Sequence, residues 1–225
     1  MRLLVTKKIS SSFKDRMFQL GFNLIEYPLI RIEPLPIQVE KVESSLIFTS
    51  QNAVKLAFES KEISALLHGK NCYCVGEKTK ALLEKNGQKV IKMHQNASDL
   101  AHFLVKNVKN DSFSFFCGKQ RRAEIEDLFN RKQMKLVIHE LYDTLFTSKV
   151  FENHFDGILF FSPSAVQSFF SKNQWNEHMH GFCIGPSTAS VLKQYTPRYS
   201  VAKTPNENHL LLEIQHYYTQ HYVKE

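Results

Sequence analysis

Apolar residues in this chain fall into short runs, and between the runs they recur at helical spacing. The runs LLVT (3–6), LIFTS (46–50), CYCV (72–75), KVIKM (89–93), FSFFC (113–117), GILFFS (157–162), FCIG (182–185) and YSVA (199–202) have the length and the β-branched or aromatic content of strands. Segments such as NAVKLAFES, EKTKALLEKNG, SDLAHFLVKN and RRAEIEDLFNRKQ place apolar residues three to four positions apart, as amphipathic helices do. Strand followed by helix, repeated, predicts an α/β fold with mostly parallel sheets, whose binding groups gather at the carboxyl ends of the strands. Two longer runs break the alternation, IEYPLIRIEPLPI (25–37) and KLVIHELYDTLFT (135–147). Prolines at 28, 34 and 36 exclude the first from a helix and from the middle of a sheet.

The pattern also repeats. LFFSPSAV (159–166) echoes IFTSQNAV (47–54), with Ser162 on Ser50, Ala165 on Ala53 and Val166 on Val54, an offset of 112 in a chain of 225 residues. CIGPSTASVLKQYT (183–196) meets CVGEKTKALLEKNG (74–87) at an offset of 109, and residues 5–30 align with 117–143 by apolar pattern. Two copies are too few for a solenoid and suit two similar lobes. The expected organisation is a discontinuous α/β domain of residues 1–32 plus 148–225 and a second of residues 40–137. Residues 33–39 and 138–147 are expected to form a two-stranded linker, with a cleft between the lobes.

A hydrophobic content of 43% and a charged content of 23% are ordinary for a soluble globular chain. No apolar stretch approaches the roughly 20 residues that span a bilayer, and the N-terminus lacks a secretory core, so a cytoplasmic protein with no membrane partner is expected. The four cysteines agree. Cys72 and Cys74 would share one face of a strand, Cys117 and Cys183 each end an apolar run, and none has zinc-site spacing, so all read as buried free thiols. The net charge of +7 suits a polyanionic partner, but the basic residues are scattered and no nucleic-acid motif is present, so no nucleic-acid partner is expected. Gly76 and Gly185 belong to no nucleotide-binding string, and no G-x-S-x-G elbow occurs. His178 and His180 read as surface residues of a loop around Trp175, not as metal ligands. HLLLEIQHYYTQHYVKE, at the C-terminus, reads as a packed helix with an aromatic tail.

YPLIRIEP, IFTSQNAV, CVGEKTKALLEKNG, CGKQRRAEIEDLF, VIHELYDT, LFFSPSAV and CIGPSTASVL, in that order and spacing, resemble the uroporphyrinogen-III synthase family. The resemblance implies two α/β domains, one discontinuous, joined by a two-stranded ladder. It implies cyclisation of hydroxymethylbilane, a linear tetrapyrrole with many carboxylates, to uroporphyrinogen III, with loss of water and inversion of ring D through a spiro intermediate. No metal or organic cofactor is implied, and a monomer is expected. Where family members often open with a strand ending in Thr-Arg-Pro, this chain has Thr6-Lys7-Lys8.

Tyr142, in HELYDT, matches the family tyrosine proposed to protonate the departing hydroxyl; the alternative is a strand tyrosine that only packs. Ser50, Asn52, Thr79, Ser162, Ser164, Ser187 and Thr188 lie where strands give way to helices, and free backbone N–H groups there favour carboxylates. Plain helix capping is the alternative for each. Arg121 and Arg122 match a basic family position after FSFFC, with a solvated helix start as the alternative, and Lys7 has a similar place after the first strand. A two-lobed protein that binds an acidic small molecule without reacting it is the competing functional class.

Overall fold

Strand periodicity builds two doubly wound sheets. The computed structural model describes residues 1–152 and 154–221; Asn153 and the last four residues of the expected aromatic tail lie outside it. The chain divides into two compact units, Ile32–Thr144 and Met1–Arg31 with Leu145–Glu225.

In the contiguous unit, β4 (Ser45–Phe48), β5 (Asn71–Val75), β6 (Val90–His94), β7 (Phe113–Gly118) and β8 (Leu136–Phe146) form a sheet in the order β8-β7-β4-β5-β6. The ladders β4 to β5, β4 to β7, β5 to β6 and β7 to β8 are all parallel. Alternate side chains serve opposite faces, as a period of two requires. Leu46, Phe48, Cys72, Cys74 and Phe116 pack against α2 (Gln51–Glu59), α3 (Lys61–Leu67) and α4 (Glu77–Lys85). Ile47, Tyr73, Phe113, Phe115 and Cys117 pack against α5 (Ala97–Asn107) and α6 (Glu124–Arg131). The edge next to β8 is β3 (Ile30–Pro34), an end position that tolerates a strand finishing in proline.

The discontinuous unit repeats this order. Its sheet runs β2 (Asn23–Glu26), β1 (Arg2–Val5), β9 (Gly157–Phe160), β10 (His180–Cys183), β11 (Tyr199–Val201), again with parallel ladders. Leu3, Val5, Leu159 and Phe182 meet α1 (Ser11–Gln19) and α9 (Glu207–His221) on one face. Leu4, Ile158, Phe160 and Cys183 meet α7 (Pro163–Phe170) and α8 (Pro186–Leu192) on the other. Strand for strand, β9, β10, β11, β1 and β2 occupy the places of β4, β5, β6, β7 and β8. The halves that match in sequence therefore match in topology.

All four cysteines are buried free thiols, and burial pushes each up to about 12. Among the described residues no helix is long and apolar enough to cross a membrane, and no group of three or more His, Cys, Asp or Glu side chains is arranged to hold a metal ion.

One expectation is corrected. His180 is not a surface loop residue, because β10 begins two residues before the apolar run and carries the ring inside, where it is 7% exposed. Its Nε2 lies 3.0 Å from the Ser200 hydroxyl, and its ring stacks on Tyr217 at 3.7 Å. Burial, with His221 and Arg198 nearby, depresses the imidazole to about 4. Between about pH 6.5 and 4 the unfolded chain binds a proton there that the folded chain refuses, so stability falls as the pH drops through that window. Urea unfolding at stepped pH is expected to show this loss in the wild type and a shallower slope in His180→Asn.

Candidate functional site

In a doubly wound sheet the natural binding point is where the strand order reverses, because adjacent connections there leave on opposite faces and open a crevice beyond the carboxyl ends. In the contiguous unit the order reverses between β4 and β7. Ser50 and Asn52 follow β4, and Gly118, Lys119 and Arg121 end or follow β7.

Ser50 has extended backbone angles (φ −146°, ψ 146°) and caps α2, its Oγ accepting from the Ala53 N–H at 3.1 Å. The same Oγ is 2.9 Å from the Tyr142 hydroxyl. Tyr142 lies in β8 and is 8% exposed, in an apolar cluster with Phe48, Phe116, Ala53, Val54 and Ala57. Burial raises its phenol above the ordinary value, against the hydrogen bonds of Ser50 and Asn52. The group is therefore a neutral donor at physiological pH. Beneath the ring is Gly118: a β-carbon there would lie 2.6 Å from Tyr142 Cε2 and 2.7 Å from Cζ.

Arg121 stands before α6 and is engaged by two carboxylates, Glu126 through Nε and Nη2 and Glu140 through Nη1. It borders a groove of about 380 Å³, also lined by Ile37, Gln38, Ile138, His139 and Glu140. His139 donates no charge to this groove at neutral pH, since burial lowers its pKa with only partial opposition from Glu43. Arg122 is exposed, with Glu124 3.7 Å from its Nη1. Thr79 lies in the first turn of α4 but is buried, 4% exposed. That helix starts at Gly76, whose φ of 84° favours glycine.

In the discontinuous unit the order reverses between β9 and β1. Ser162 repeats the geometry of Ser50, with φ −158°, ψ 156° and its Oγ accepting from the Ala165 N–H at 3.1 Å. Pro163 takes the first helical position of α7, where no N–H is needed, and Ser164 follows half-buried. Lys7, beyond β1, pairs with Glu207 at 3.3 Å and lies 4.4 Å over the Phe161 ring. Ser187 is exposed at the start of α8, whereas Thr188 is buried there at 2% exposure. The repeated Ser-x-x-Ala-Val therefore encodes a repeated helix cap at each reversal.

The family model described as uroporphyrinogen-III synthase HemD matches residues 11–211. The chain belongs to the uroporphyrinogen-III synthase family. It is 26% identical over 231 aligned residues to a porphyrin biosynthesis protein HemD of Ruminiclostridium josui, covering 90% of this chain and 45% of that relative, so it spans about half the relative's length. It shares its fold with uroporphyrinogen-III synthetase from Helicobacter pylori, at 18% identity, TM-score 0.70, covering 96% of this chain and 100% of the other. A mutant uroporphyrinogen III synthase from Thermus thermophilus has the same fold, at 14% identity, TM-score 0.71, covering 98% and 99%.

For a member of this family, the contiguous unit brings together Tyr142, Ser50 and Asn52, a phenol backed by two hydrogen-bonding side chains at the start of α2. Thr79 and Thr188 are instead turned into the cores, Arg121 is held by carboxylates of its own unit, and Lys7 by Glu207. The residue that sequence reading passed over is Gly118; the turn Gly118–Lys119 at the end of an apolar run was its only local signal. Because Ser50 and Ser162 cap their helices with the same geometry, Ser50→Ala and Ser162→Ala are each expected to cost about 1 kcal/mol in urea unfolding. A near-zero cost at either site would separate that serine from its cap.

Proposed function

We propose that this chain is a cofactor-free uroporphyrinogen-III synthase, a lyase that cyclises hydroxymethylbilane to uroporphyrinogen III with loss of water and inversion of ring D. The observation that carries the reading is Tyr142, a buried phenol held by Ser50 beside the strand-order reversal of a chain in this family.

Loss of the substrate's terminal hydroxyl leaves an azafulvene cation, which the substituted carbon of ring D attacks to give the spiro intermediate; fragmentation and reclosure invert the ring. Hydroxide is a poor leaving group, so a proton must reach it as the bond breaks. Tyr142 supplies that proton, and its raised pKa keeps the proton on the phenol until the substrate's oxygen needs it. Ser50 can hand its own hydrogen to the phenolic oxygen, which frees the phenolic proton to point elsewhere.

The larger share of the work is positioning, since a flexible polyanion has many shapes and only one brings ring D onto the cation through its substituted carbon. Asn52 at the start of α2, and Ser162 and Ser164 at the start of α7, offer amide and hydroxyl donors at positive helix ends for carboxylate arms. Arg122, exposed near the end of β7, adds guanidinium charge, whereas Arg121 is engaged by Glu126 and Glu140. The four buried free thiols support a reducing, cytoplasmic setting.

The test supplies hydroxymethylbilane from a coupled deaminase, oxidises the products and separates the type I and type III isomers. Type III is expected from the wild type, and Tyr142→Phe is expected to lose roughly 100- to 10,000-fold in rate. Type I alone, at the uncatalysed rate, would retire the lyase in favour of a protein that only binds an acidic ligand.

A further inference from the structure

We propose that Gly118 is a positioning residue for Tyr142, acting with a one-residue bulge in β8 to set where the phenolic hydroxyl lies. The proposal rests on the reading of Tyr142 as the proton donor and adds how the fold aims it.

The register of β7 against β8 is regular from Phe113↔Leu136 to Cys117↔Glu140, and then Gly118 pairs with Tyr142, skipping Leu141. One extra residue in a strand bends it and re-aims the side chains that follow. In an unbroken strand Leu141 and Tyr142 would face opposite sides of the sheet. Here both enter the same apolar cluster, beside Phe48, Phe116 and Ala53. The bulge thus turns Tyr142 toward the α2 face, where Ser50 waits.

Three contacts then fix the residue. The Lys119 N–H donates to the Tyr142 backbone carbonyl at 2.8 Å, Ser50 Oγ meets the hydroxyl at 2.9 Å, and the ring occupies the place that a β-carbon of residue 118 would take. A β-carbon at 118 would stand 2.6 Å from Cε2, 2.7 Å from Cζ and 3.0 Å from the hydroxyl oxygen, closer than side chains tolerate. Conformational freedom is not why glycine is here. Gly118 is absent from the positive-φ glycines, which are Gly21, Gly69, Gly76 and Gly87, so alanine suits its backbone, and the three atoms nearest to the added β-carbon all belong to the Tyr142 side chain. The missing methyl is room for Tyr142.

The test is Gly118→Ala with and without Tyr142→Phe, assayed for type III product, with thermal unfolding to confirm folding and carbon-13-labelled tyrosine spectra to follow the ring. The Tyr142 resonance is assigned by its loss in Tyr142→Phe. Displacing a reacting group by about 1 Å can cost about 100-fold, so G118A is expected to lower kcat by about that factor with KM nearly unchanged, to move the Tyr142 resonance, and to add no loss on the Y142F background. A full rate in G118A, or an equal loss on both backgrounds, would overturn the proposal. If Y142F itself keeps the wild-type rate, the proton-donor reading fails and the resonance decides alone: an unmoved signal in G118A sinks the positioning role, and a moved one sustains it. Should G118A not fold, G118A/Y142L must fold, because leucine leaves space for the new methyl. If that pair stays unfolded too, the ring is not what excludes the β-carbon and the proposal falls.

Discussion

The reversal of strand order within each sheet is the constraint on which the other features depend. Once the chain has wound outward from β4 through β5 and β6, it can complete the sheet only by returning to the far side of β4, and β7 and β8 do this. The connections on the two sides of that point must leave on opposite faces, which is why α2 with α4 and α5 with α6 serve separate apolar clusters. Loop ends from distant parts of the sequence, near positions 50 and 118, are thereby made neighbours. In the other unit β1 and β2, laid down first, lie on the far side of β9 from β10, which gives Ser162 and Lys7 the equivalent setting.

At such a point a reactive side chain needs both a direction and a restraint. Tyr142 takes its direction from the break in register opposite Gly118, and its restraint from Ser50 at one end and the flat glycine backbone below. The burial that raises the phenol's pKa is the same packing that immobilises the ring, so acidity and aim are tied to one cluster. Ser50 links them to the start of α2 by capping the helix with the oxygen that meets the phenol.

What could be read from the chain alone follows from which signals are local. The offset of 112 between Ser50 and Ser162 needs only the residues themselves, and it predicted two similar α/β units without giving the strand order that they share. Pro34 kept its strand out of the sheet interior because a missing N–H is a property of one residue, and Cys72 and Cys74 shared a face because strand periodicity is short-range. Other features depend on partners far away in sequence. Gly118 matters through a ring 24 positions on, and the bulge at Leu141 exists only in the pairing of two strands. Arg121 looked free beside Arg122, yet it is closed upon by Glu140 across the sheet. Thr79 and Thr188 sit at helix starts that favour ligands, but the rotation of each helix about its axis turns them inward. His180 lay just outside an apolar run, and the strand begins two residues before that run.

Apart from the extra edge strand β3, the matching strand orders differ in the sequence position of β1 and β2. In the contiguous unit all five strands arise in one passage of the chain, and they can pair as soon as that passage leaves the ribosome. In the other unit Leu3 must pair with Gly157, so its first two strands emerge long before the neighbour that will shelter them. Synthesis therefore hands the cell a finished sheet while the other is still waiting, with the early hairpinless pair β1 and β2 exposed to whatever protects nascent chains.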